Sequence, residues 1–74
     1  MFTYGVVISH EGKKILGGFE AEDDELAFQV AGELCRDYKN SYLLSLGCRR
    51  ELNKPIVIIY DFVDNMEYMF SSFF

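Results

Sequence analysis

The chain has 74 residues, half of them apolar, with seven Phe, five Tyr and a formal net charge of −5. That composition is too apolar for intrinsic disorder, and the length too short for a second core, so one domain over residues 1–74 is expected. The acidic balance speaks against a general nucleic-acid binder, which needs clustered Lys and Arg to neutralise phosphates. No run approaches the roughly 20 apolar residues that span a bilayer. The opening MFTYGVVISHEGKK lacks the basic start and long apolar stretch of a secretory leader. A cytoplasmic protein with reduced thiols is the expectation.

Residues 2–9, FTYGVVIS, alternate with Phe2, Tyr4, Val6 and Ile8 on one face, the pattern of a strand. HEGK is a turn in which Gly12 is free to take positive φ. Residues 13–21, KKILGGFEA, return as a second strand with Ile15 and Phe19 on one face. Gly17 and Gly18 weaken it and mark a bulge or a close backbone approach. From Asp24 to about Lys39 the period becomes helical, with Ala27, Val30, Ala31, Leu34 and Tyr38 on one stripe, flanked by Leu26, Phe28 and Cys35. Gly32 falls on the polar side, where it costs about 1 kcal/mol relative to Ala; it is either tolerated there or leaves room for something to approach. Asn40 is suited to end the helix in the left-handed region.

Residues 41–50, SYLLSLGCRR, alternate again, with Tyr42, Leu44, Leu46 and Cys48 on one face and Leu43 the exception. After the turn ELNKP, residues 55–62, PIVIIYDF, are apolar on both sides, as in a strand covered twice. For MEYMFSSFF a fifth strand is favoured over a short terminal helix. The order β-β-α-β-β predicts an α+β fold, a single antiparallel sheet with one helix packed on one face.

Catalytic chemistry finds little support in these residues. His10, beside Ser9 in the predicted turn, reads as a solvated turn histidine; neighbouring strand residues point to opposite faces, so the two do not form a dyad. Cys35 and Cys48 lack CxxC spacing, and one His cannot complete a structural zinc site; both read as free core thiols. Asp61, Asp64, Asn65 and Glu67 lack the alternation and central Gly of a calcium loop and read as a solvated turn. No enzyme, no metal and no cofactor are expected.

Two surfaces stand out instead. Glu20, Glu22, Asp23, Asp24 and Glu25 place five acids within six positions ahead of the helix. An aspartate there caps the helix, and acids in the first turn complement its dipole by about 0.3–1 kcal/mol each. The remainder is a candidate acidic patch for a basic partner surface. Strand alternation also puts Val7, Leu16, Leu43, Val57 and Ile59 on the face away from the helix. That apolar face calls for a homodimer, a larger partner, or the C-terminal segment folding back over it.

A strand ending in FEAEDD, running into a helix with Ala27 and Ala31 four apart, inside a compact acidic β-β-α-β-β chain, resembles the small inhibitor proteins of phages and mobile elements, anti-CRISPR proteins among them. The resemblance implies stoichiometric inhibition of a larger host protein in the host cytoplasm, either with acidic residues standing in for nucleic-acid phosphates against a basic, nucleic-acid-binding surface or by steric blocking of a subunit. The expectation is thus a non-enzymatic protein-binding module, an inhibitor or adaptor. The alternative is a homodimeric regulatory or small-ligand-binding domain.

Overall fold

The predicted hairpin seeds the sheet. The computed structural model describes residues 1–64, 66, 69–71 and 74. β1 (Phe2–His10) and β2 (Lys13–Ala21) pair antiparallel in unbroken register from Phe2↔Ala21 to His10↔Lys13, so Gly17 and Gly18 mark no bulge. The two-residue loop between them takes positive φ at both positions, 52° at Glu11 and 80° at Gly12, the geometry whose twist matches a hairpin.

α1 (Asp24–Asp37) follows, then β3 (Ser41–Arg49) and β4 (Val57–Asp61). The strands form one antiparallel sheet in the order β2-β1-β3-β4, with α1 packed on it. The α+β architecture is the one expected from the sequence. Asp23 caps α1, its carboxylate accepting the Leu26 N–H at 2.8 Å. At the other end Asn40 takes φ 60°, and the Ser41 hydroxyl donates to the carbonyl of Cys35 at 2.9 Å.

Helix and sheet meet closely because the helix offers small side chains there. Ala27 and Ala31 are fully buried against Tyr4, Val6, Ile8, Leu46 and Cys48, with Phe19 and Leu34 at the margins. The other face has its own core, in which Val7 and Leu44 pack with Met66 and Phe70, flanked by Leu16, Ile56, Ile58, Met69 and Phe74. The C-terminal segment therefore folds back over the face that alternation left open. The four strands do not include one over MEYMFSSFF. Residues 69–71 are helical, and positions 67, 68, 72 and 73 lie outside the described residues. The Phe74 N–H bonds the Phe70 carbonyl at 2.8 Å.

Glycines admit this segment. Gly5 and Gly47 are cross-strand partners, and a Cβ on either would stand 2.9 or 3.0 Å from the Phe70 ring. Two bulges then redistribute the side chains of β3 and β4. The β1–β3 register runs Val7↔Ser45 and then Ile8↔Leu43, leaving Leu44 as the extra residue. The β3–β4 register runs Leu46↔Tyr60 and then Gly47↔Ile58, leaving Ile59 as the extra residue. An added residue inverts the alternation beyond it. Of the five residues assigned to the open face, only Val7 and Leu16 lie there, under the C-terminal segment. Leu43 and Ile59 pack into the helix-side core, and Val57 pairs with Cys48, a residue of that same core. The bulge at Leu44 also explains why Leu43 broke the pattern of its strand.

Candidate functional site

The acidic run divides into two parts. Asp23 is occupied as the helix cap, and Asp24 joins Tyr4 and Arg50. The buried Tyr4 hydroxyl donates to Asp24 Oδ1 at 2.7 Å, while the Arg50 guanidinium grips both carboxylate oxygens. The bonds from Arg50 and Tyr4 hold the Asp24 carboxyl below the usual aspartate range. Burial, then the bond to Asp24, push the Tyr4 phenol well above the ordinary tyrosine value. This cluster ties β1, the start of α1 and the β3–β4 loop together, and it is structural in its chemistry.

Glu20, Glu22 and Glu25 are exposed, and among the described residues no ion pair engages them. Glu20 of β2 pairs with Thr3 of β1, and the alternation of β2 turns it away from the helix side, where Phe19 packs. Glu25 lies on α1, three residues before Phe28, and so on a neighbouring part of the helix surface.

A different surface gathers apolar groups without covering them. Between α1 and the β3–β4 edge of the sheet lies a groove of about 560 Å³. Phe28, Gly32 and Cys35 form its helix wall. Ser41, Tyr42 and Leu43 of β3, with Tyr60 and Phe62, form the opposite side. Two edge-to-face ring pairs brace it, Phe28 with Tyr60 at 5.5 Å and Tyr42 with Phe62 at 5.7 Å between centroids. Phe62 is fixed just past β4 by its N–H bond to the Leu44 carbonyl, 2.7 Å long, yet it is 63% exposed. Phe28 and Tyr42 are 45% and 52% exposed. A Cβ on Gly32 would meet nothing within 4 Å, so its absence deepens the groove rather than relieving a clash.

Burial raises the Cys35 thiol above its ordinary value, the opposite of what a nucleophile needs. Both cysteines are free, with Cys48 in the helix-side core. His10 is the last residue of β1, half-buried with its ring 5.4 Å from that of Tyr38, not a residue of a solvated turn. Among the described residues no group of three His, Cys, Asp or Glu is placed to hold a metal, and Asn65 and Glu67 lie outside them.

Sequence reasoning singled out Gly32 and placed Phe28 beside the apolar stripe, but it did not join them to Tyr42, Tyr60 and Phe62. The usable signal was a helical Gly one turn from an aromatic at the stripe's margin, with further aromatics ending the doubly apolar strand. Comparison with known proteins adds no relative: no family model, no curated protein and no solved structure matches the chain.

Proposed function

We propose that the protein is a non-enzymatic binding module that captures bulky apolar side chains of a partner protein in the groove between α1 and the β3–β4 edge. One observation carries this reading. The second sheet face is closed by the chain's own C-terminal segment, whereas Phe28, Tyr42 and Phe62 stay exposed around a groove large enough for one or two such side chains. Exposed aromatics around an apolar depression are typical of interface anchors. A small-ligand site fits less well, because such sites bury most of their ligand, and here the walls themselves stand in solvent.

The net charge of −5 favours a basic partner by raising the rate of encounter and discouraging acidic ones. As an inhibitor, in line with the resemblance to phage-encoded proteins, the module would act one-to-one by covering a working surface of that partner.

Panning a phage-displayed random peptide library against the immobilised protein tests the reading. Peptides recovered should bind the wild type and lose at least tenfold affinity for Phe28→Ser and for Phe62→Ser, while both variants keep the wild-type urea midpoint closely. Recovery of no peptide, or of peptides indifferent to both substitutions, contradicts it.

A further inference from the structure

Consecutive strand residues point alternately to the two faces of a sheet. Ser41, Tyr42 and Leu43 nevertheless all line the one groove. A groove that opens onto the edge of the strand accounts for this. The pairing agrees. On its inner side β3 pairs with β1 along its length, from Thr3↔Arg49 to His10↔Ser41. On its outer side β4 pairs only with Ser45–Cys48. The Phe62 N–H bond to the Leu44 carbonyl is the last in that direction. Five residues of β4 thus stand against nine of β3, and among the described residues nothing pairs with the outer edge at Ser41–Leu43.

We infer that the partner enters as an extended segment that adds a short strand to the outer edge of β3 at Ser41–Leu43, in line with the end of β4, with alternate apolar side chains in the groove. The inference rests on the groove reading and adds the partner's conformation and chemistry. Leu44 turns its carbonyl outward to Phe62, and the bulge there shifts the two-residue period. The two-residue β1–β2 loop makes His10↔Lys13 a bonded pair, so Ser9 faces β3 and its partner Tyr42 bonds inward, which leaves Leu43 and Ser41 offering outward N–H and C=O groups. Backbone bonds at an exposed edge supply affinity, and pockets for alternate side chains supply specificity. Most of the free edge on this sheet is blunted: Lys13 and Lys14 begin β2, and Pro55 and the Ile59 bulge guard β4. The Ser41–Leu43 stretch carries no charged residue and no Pro.

Charge completes the description of the occupant. The chain carries a net charge of −5, and Glu25, three residues before Phe28, is the acid of α1 left free beside the groove wall once Asp24 is held by Arg50. The segment therefore carries bulky apolar residues at i and i+2 flanked by Lys or Arg.

The library selection described above decides this, with two added measurements on the recovered peptides. The expected consensus has apolar anchors two apart with basic flanks. N-methylation of a single peptide amide between the anchors should weaken binding at least tenfold. The Leu43 amide should exchange quickly in the free protein and at least tenfold more slowly in the complex. Anchors spaced three or four apart, tolerance of N-methylation at every position, or an unprotected Leu43 amide in the complex would overturn strand addition while leaving the groove in place. Peptides that ignore Phe28→Ser and Phe62→Ser would overturn both.

Discussion

Glu11 holds φ 52° at the first position of the β1–β2 loop, a conformation that L-residues with long side chains adopt at a cost of about 1–2 kcal/mol and that Asn tolerates. Glu11→Asn should raise stability by about 0.5–1 kcal/mol in urea unfolding, without altering the register. The Tyr4–Asp24–Arg50 cluster makes a second prediction, in pH. Because the folded Asp24 carboxyl lies below its unfolded value of about 3.9, its contribution is fully present above that value and fades as pH falls through the folded one. Wild type should lose more of its urea midpoint between pH 6 and pH 3 than Asp24→Asn does; equal losses would show the cluster silent. For Tyr4 the sign reverses, its contribution being present below about 10 and lost above it. Of the five tyrosines, one should fail to ionise in an ultraviolet titration until the protein unfolds.

Among the elements, the C-terminal segment matters most for stability. Phe70 is fully buried over Gly5 and Gly47, so Phe70→Ala should cost about 3–5 kcal/mol. Gly47→Ala should also destabilise, since its Cβ would meet both Phe70 and Ile56 at 3.0 Å. Gly17→Ala, where the nearest atom is 3.5 Å away, should be tolerated. An ordering in which Gly17→Ala is the worse of the two would contradict the packing described. The boundaries of β1, β2 and α1 could be read from alternation, the glycine turn and the capping aspartate, because each signal is local. The faces of β3 and β4 could not. Leu44 and Ile59 are ordinary strand residues, and their bulges answer to cross-strand packing that no local pattern records. The groove was hidden for the same reason, since it joins Phe28 to Tyr42 and Phe62 across the fold.

For the whole molecule, closure of the second face by Met66, Phe70 and Phe74 removes the main reason to expect a dimer. Light scattering coupled to size-exclusion chromatography should give the 8.6 kDa monomer. A chain ending at Asp64 would expose Val7, Leu44 and Ile58, and should self-associate. The acidic character acts at this scale too. Because Asp23 and Asp24 are tied into the fold, the free charge of the acidic run rests on the exposed Glu20, Glu22 and Glu25, and the net charge of −5 biases encounter.

Gly32 separates stability from binding most cleanly. It sits in the interior of α1 with open space at its Cβ, facing the groove. Gly32→Leu should stabilise the helix by roughly 0.5–1 kcal/mol while filling the depression. The deciding measurement is calorimetric titration of a library-selected peptide into this variant, beside its urea unfolding curve. The account predicts at least a tenfold loss of affinity in a protein no less stable than wild type. Undiminished binding by that stable variant would contradict the assignment of the groove as the docking site.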